Sequence, residues 1–194
     1  MDLKGKRIIL GSNSPRRREL LGGLCVDFEI DTGNSFCEEL PPGVPFAEVP
    51  AMMSEGKSLG FHRTLSPGEI LITADTMVIL EDEILGKPHS REDAVRMLRD
   101  LSGKTHEVVT AVTVRDPERM KTVSDTTKVT FKSLTDSEIE FYVDRFRPFD
   151  KAGAYGVQEW IGYIGISHIE GSYFNVVGFP THVVYKLITE FINN

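Results

Sequence analysis

The sequence predicts an α/β fold built on a mixed sheet, and three observations carry that prediction. Two apolar runs, in residues 7–11 and Ile70-Leu71-Ile72-Thr73-Ala74, read as short buried strands. Helix-start signals at Ser14-Pro15, Ser90–Asp93 and Thr135–Glu138 are each followed by residues with helical periodicity. Residues 106–114 and 123–131 alternate in the manner of an antiparallel pair, so strands and helices are mixed, with at least two strand-to-helix steps.

Taken in order, the strand over 7–11 ends at Gly11, and Ser12-Asn13-Ser14 forms a polar turn. Ser14 is a good N-cap and Pro15 a good first helical residue, so a helix should run to about Leu21 and stop at Gly22-Gly23. Residues 24–40 read as irregular or extended. A second helix covers much of 45–61, broken near Pro50 and weakened at Gly56. The strand over 70–74 ends at Asp75-Thr76, and Met77–Leu80 continues extended before Glu81-Asp82-Glu83 turns the chain. The helix that opens at Ser90 carries Ala94, Met97, Leu98 and Leu101 on one face and stops at Ser102-Gly103. The one that opens at Thr135 carries Ile139, Tyr142, Val143 and Phe146 on one face. The Gly- and aromatic-rich stretch 152–179 reads as loops and short strands, and 181–192 as a closing amphipathic helix. No internal repeat or low-complexity linker divides the chain, so residues 1–194 read as a single domain.

The chain has 194 residues, 40% hydrophobic and 26% charged, which suits a globular protein with a real core and argues against disorder. No apolar run approaches the roughly 20 residues of a membrane span, and the N-terminal apolar stretch is too short for a signal peptide. A cytoplasmic location with no membrane partner is the resulting expectation. Cys25 and Cys37 read as reduced and structural, and the five histidines show no zinc-ligand spacing with them. The net charge of −7 disfavours duplex DNA as a partner. Basic residues cluster locally at Arg16-Arg17-Arg18, which suits a small polyanion such as a nucleotide.

Those arginines occupy the first turn of a helix, the positive end of its dipole, at a cost of roughly 0.3–1 kcal/mol each if exposed. Together with the Ser12 and Ser14 hydroxyls and the free N–H groups they suit a phosphate chain, although the same residues read equally well as a solvated basic turn. The P-loop spacing is absent. Asp75 emerges at a strand end, where α/β folds place ligands, and is either a turn-former or a functional carboxylate. Glu38 and Glu39 read first as a solvated pair. If one of them meets Asp75 across a cleft, the two can hold Mg²⁺. Lys57, Lys87 and Lys151 each read, alone, as surface lysines.

In combination these residues resemble one family. Gly11-Ser12-Asn13-Ser14-Pro15-Arg16-Arg17-Arg18-Glu19-Leu20-Leu21 is similar to the opening signature of the Maf family. Ala74-Asp75-Thr76, Leu85-Gly86-Lys87-Pro88, Met97 through His106, Asp150 through Gln158 and Gly171 through Pro180 follow in the family's order, over essentially the whole chain. The resemblance implies an elongated mixed-sheet fold with two lobes around a cleft, similar to the inosine triphosphate pyrophosphatases. It further implies cleavage of a nucleoside triphosphate between its α- and β-phosphates in a house-cleaning role, with Mg²⁺ or Mn²⁺ as cofactor. Matched by motif, Asp75 is the proton acceptor, Lys57 and Lys87 are cleft lysines, and Ser12, Arg16 and Arg17 contact phosphate. Glu39 is the choice for the metal-side acid beside Asp75, with Glu38 as the alternative. Arg16, Thr76 and Gln158 together point to the branch that acts on dTTP and UTP, with modified pyrimidine nucleotides also accepted, over the branch that prefers 7-methyl-GTP.

Two positions depart from the family's pattern: Glu159-Trp160 follows Gln158 where a glycine is usual, and Ser58 stands in place of an alanine common after the cleft lysine. The expected partners are a nucleoside triphosphate, no stable nucleic-acid complex and, from the resemblance alone, a second copy in a homodimer. The competing reading is a nucleotide- or nucleic-acid-binding regulator of cell division. The acidic charge and the lack of a basic stripe speak against it.

Overall fold

In the computed structural model, which describes residues 2–39 and 43–193, the chain is a mixed α/β protein with a seven-stranded mixed sheet. Leu40, the last residue of the stretch read as irregular, lies outside the described residues. The strands are β1 (Arg7–Leu10), β2 (Phe28–Ile30), β3 (Glu69–Leu80), β4 (Glu83–Leu85), β5 (Thr105–Arg115), β6 (Met120–Phe131) and β7 (Ile166–Glu170). Their order is β2-β1-β3-β5-β6-β7, with β4 paired to β3 off this path. β1 lies parallel to both β2 and β3, in the register Ile8 to Phe28 and Ile8 to Ile70. The side-chain pairs Thr105–Thr130 and Thr113–Thr122 show β5 and β6 running in opposite directions, as the alternating pattern predicts. Among the described residues no helix is long and apolar enough to cross a membrane.

By its internal contacts the chain forms two compact units. The first comprises residues 1–75, 110–125 and 178–194. Its core gathers Ile8 and Leu10 of β1, Ile70, Ile72 and Ala74 of β3, and Val112 and Val114 of β5. Two helices of this unit, α1 (Pro15–Gly23) and α7 (Thr181–Asn193), contribute Leu21 and the face Val184, Leu187, Ile188 and Phe191. The helix α2 (Val49–Leu59) also belongs here. Pro50 does not break it. A single 3-10 turn, Phe46–Glu48, leads into α2, and Pro50 occupies the first turn, where a missing N–H costs nothing.

The second unit comprises residues 76–109 and 126–177. Its core joins Val78 and Leu80, Val108, Val129 and Phe131 to the apolar faces of α3 (Arg91–Leu101) and α4 (Asp136–Phe146). The caps form where the sequence puts them. Ser90 Oγ accepts from Asp93 N–H at 3.1 Å, and Thr135 with Glu138 completes a reciprocal capping box. The Asp93 carboxylate in turn accepts from His89 N–H, at 3.0 Å. The stretch expected to be loops and short strands contains two short helices, α5 (Trp160–Gly165) and α6 (Tyr173–Val177), on either side of β7.

Candidate active site

Within the first unit, Asp75 does not end its strand, as the sequence predicts, but lies inside β3, which runs on to Leu80, and every residue from Glu69 to Asp75 is buried. Its Oδ1 accepts from Lys57 Nζ at 2.7 Å, and the two side chains are only 12% and 18% exposed. The same ammonium lies 3.0 Å from Glu38 Oε1, whose side chain is open to solvent. One cation thus faces two carboxylates, and the acid brought to it is Glu38. Glu39, the expected choice, instead has Oε1 beside the Cys37 thiol, 3.5 Å away. That contact raises the Cys37 pKa above the ordinary thiol value.

Neighbouring residues fix this meeting of helix and strand. Ser54 lies one turn before Lys57 on α2, and its hydroxyl donates to Thr113 Oγ1 at 2.8 Å. Thr73, two residues before Asp75 on β3, donates through Oγ1 to Ser54 carbonyl oxygen at 2.8 Å. All three hydroxyls are buried, so each bond is made away from competing water. The Glu38 segment is set by contact with the same helix. Gly56 leaves room for the Phe36 ring, which a Cβ at that position would meet at 2.2 Å. Asn34 donates to Lys57 carbonyl oxygen and Ser35 N–H to that of Gly60. Gly56 therefore serves close packing rather than weakening the helix.

The Arg16-Arg17-Arg18 cluster does begin α1, with Ser14 as N-cap and no acid in the first turn. Ser12 Oγ accepts from Ser14 N–H at 3.3 Å, closing the turn. The Arg17 guanidinium is drawn inward: Nη1 donates to Ala74 carbonyl oxygen at 2.8 Å and Nε to that of Gly178 at 3.0 Å. Burial pulls its pKa below the ordinary guanidinium value, the charge of Asp75 opposes this, Arg16 adds to the fall and Glu38 works against it. Arg17 thus ties the residue before Asp75 to the α1 turn. Arg16 lies beside it in the same first turn, half-buried.

In the second unit, Thr76 follows directly on β3, and exposed Lys87 lies between β4 and α3. Gly86 carbonyl oxygen, next to Lys87, accepts from Gly153 N–H at 3.0 Å. Gly153 has a φ of +68°, and a side chain there would press on Val78. Gln158 is half-buried, and its side-chain carbonyl oxygen is buried without a hydrogen-bond donor. Beside it Glu159 accepts from the Tyr142 hydroxyl, and its Oε1 lies 3.0 Å from Lys151 Nζ. Trp160 opens α5 with its ring edge-to-face on Phe141, centroids 4.8 Å apart. Sequence reasoning missed Ser54, Phe36, Tyr142 and Arg115, whose partners lie far away along the chain.

Among the described residues no group of three or more His, Cys, Asp or Glu side chains forms a metal cage. Asp75 and Glu38 nevertheless offer hard carboxylate oxygens to one shared cation, Lys57. That donor set fits Mg²⁺ or Mn²⁺ bound through one or two carboxylates, with water and substrate phosphate completing the shell.

Comparison with known proteins adds relatives of matching length. The chain is 46% identical over 192 residues to the dTTP/UTP pyrophosphatase of Porphyromonas gingivalis, covering 98% of this chain and 96% of that protein. It is 49% identical over 179 residues to the dTTP/UTP pyrophosphatase of Bacteroides thetaiotaomicron, covering 92% and 93%. Among solved structures it matches the Ham1 protein of Staphylococcus aureus at 16% identity and a TM-score of 0.48, covering 97% of this chain and 98% of that one. The family model described as Maf-like protein matches residues 7–191, and the chain belongs to that family.

Proposed function

We propose that this protein is a nucleoside triphosphate pyrophosphatase that hydrolyses dTTP and UTP to the monophosphate and pyrophosphate. The observation that carries the reading is the contact of Asp75 with Lys57, with Glu38 on the same ammonium, in a chain 46% identical to a dTTP/UTP pyrophosphatase. A carboxylate and an ammonium held together are what proton removal from water and stabilisation of a departing phosphate require.

In this mechanism the Asp75 carboxylate takes a proton from water as the water oxygen bonds to the α-phosphorus. The bond from that phosphorus to the α–β bridging oxygen breaks, and pyrophosphate leaves with the electron pair. Lys57 and Lys87 stabilise the charge that develops on it. Ser12, Arg16 and Arg17 orient the phosphate chain at the start of α1, where the helix end favours an anion. Asp75 and Glu38 would hold a divalent metal, Glu38 being taken in preference to Glu39 because it shares the Lys57 cation with Asp75. When bound, such an ion acidifies water and neutralises phosphate oxygens.

Base choice is assigned to Arg16, Thr76 and Gln158. A glutamine amide can accept from the N3 donor that uracil and thymine present, where cytosine presents an acceptor. The two compact units act as one Maf-like domain, in the cytoplasm, as a homodimer and without a stable nucleic-acid complex. Pyrophosphate release from dTTP, UTP, CTP, GTP and 7-methyl-GTP with Mg²⁺ or Mn²⁺ tests the reading. Release from dTTP and UTP is expected. Release mainly from 7-methyl-GTP overturns the base assignment, and none from folded, metal-supplied protein overturns the reaction.

A further inference from the structure

Arg115, the last residue of β5, spends its charge in an unusual way. Its Nη2 donates to Ser58 carbonyl oxygen at 2.7 Å and its Nε to Ser58 Oγ at 3.1 Å. No carboxylate among the described residues offsets it: partial burial alone pulls its pKa below the ordinary guanidinium value. A half-buried cation without a counter-charge is costly. What it meets instead is the last turn of α2, where unpaired carbonyls concentrate the negative end of the helix dipole.

Ser58 is fully buried and immediately follows Lys57. An alanine would offer only the carbonyl oxygen. The serine adds its hydroxyl and turns a single contact into a two-point grip. A grip on both the main chain and the side chain of residue 58 fixes the rotation of the last turn, and with it the direction in which Lys57 leaves the helix. Ser54 fixes the turn before through Thr113, and Thr113 lies two residues from Arg115 on β5. The strand thus holds α2 at two successive turns, with Lys57 between the two holds.

We propose that Arg115 is a positioning residue for Lys57, acting through its two-point grip on Ser58 to aim the ammonium at Asp75. The inference rests on the role assigned to Lys57 above. It makes no claim that Arg115 touches the nucleotide.

The test is a double-mutant cycle on dTTP hydrolysis, with thermal unfolding recorded for each variant. Arg115→Met is expected to lower kcat about 10- to 100-fold, as a misaimed catalytic group does, while KM changes about two-fold or less. Arg115→Lys keeps the charge and one donor contact and should restore part of the loss. In a Lys57→Met background, assayed by single turnover with excess enzyme, Arg115→Met should cost nothing more, because the group it aims has gone. The same fold loss in both backgrounds marks a purely structural arginine and overturns the proposal. So does an Arg115→Met protein with wild-type kcat. An inactive wild type, or a fully active Lys57→Met, instead refutes the function on which the proposal rests.

Discussion

Replacing Asp75 with asparagine keeps the shape of the side chain and removes its charge and its capacity to take a proton. The structure sets the size of both effects. Lys57 Nζ loses an anionic partner at 2.7 Å in a pair whose side chains are 12% and 18% exposed. For a fully buried pair, loss of one partner costs about 3–5 kcal/mol. Here Glu38 stays 3.0 Å from the same nitrogen with its own side chain 59% exposed, so the charge is neither stranded nor dry. A cost of about 1–2 kcal/mol follows. For a chain of this size that lowers Tm by about 2–8 °C, leaving a folded protein at 25 °C. Catalysis should suffer far more, by about 10²–10⁴-fold in kcat, the usual contribution of a positioned base. Pyrophosphate release from dTTP, with circular dichroism to verify folding, measures both. A folded Asp75→Asn protein whose kcat stays within about ten-fold of wild type refutes the assignment.

Glu38→Gln should reduce turnover and raise the metal concentration needed for half-maximal rate, whereas Glu39→Gln should leave both near wild type. The reverse ranking in a metal titration would return the metal-side role to Glu39. His106 is buried against Phe131, its Nε2 lies 2.7 Å from the Tyr155 hydroxyl, and its Nδ1 is buried with no hydrogen-bond partner. Burial pulls its pKa from 6.5 to about 4. Between those values the unfolded chain binds the proton and the native one does not. Stability from this residue is therefore full above pH 6.5, falls by about 3 kcal/mol as pH drops to 4, and is level below. Urea unfolding of wild type and His106→Phe over that range should show the smaller slope in the variant, and equal slopes would refute the assignment. Thr135→Ala removes the cap of α4 and should cost about 1 kcal/mol in the same assay.

Much of the fold is legible because its signals are local. Ser14-Pro15, Ser90–Asp93 and Thr135–Glu138 each put a cap within three residues of the N–H it satisfies, and all three helices begin there. Asp75 is legible as an acid that follows an apolar run, but the strand end read there is not found, because β3 carries on through Asp75 to Leu80. Pro50 misleads because a proline breaks a helix interior yet fits a first turn, and only the true start of α2 distinguishes the two. α5 and α6 give little sequence signal, since helices of six and five residues do not persist without tertiary contacts. In the candidate site, the choice between Glu38 and Glu39 depends on how Phe36 seats against Gly56, twenty residues away. Arg115 reaches Ser58 across 57 residues of chain, a contact that no local pattern encodes.

Glu159 and Trp160 follow Gln158, to which base choice is assigned above, and the structure accounts for both. Glu159 needs partners because its side chain is mostly buried, and it has them in the Tyr142 hydroxyl and Lys151. Tyr142 also accepts from Gly156 N–H at 3.0 Å, so one phenol joins the residue two before Gln158 to the residue after it. Burial, and then the bond to Glu159, raise the Tyr142 pKa far above its ordinary value, which keeps the hydroxyl neutral and donating at any physiological pH. Glycine at 159 would leave Lys151 with Asp150 alone, at 2.8 Å. Trp160 meanwhile packs its ring on Phe141 of α4. The bulk of Trp160 beside Gln158 is thus taken up by α4. What Glu159 adds next to Gln158 is a charged anchor that holds its main chain on both sides. Such an anchor stiffens the main chain around Gln158, the residue to which base choice is assigned under the proposed function.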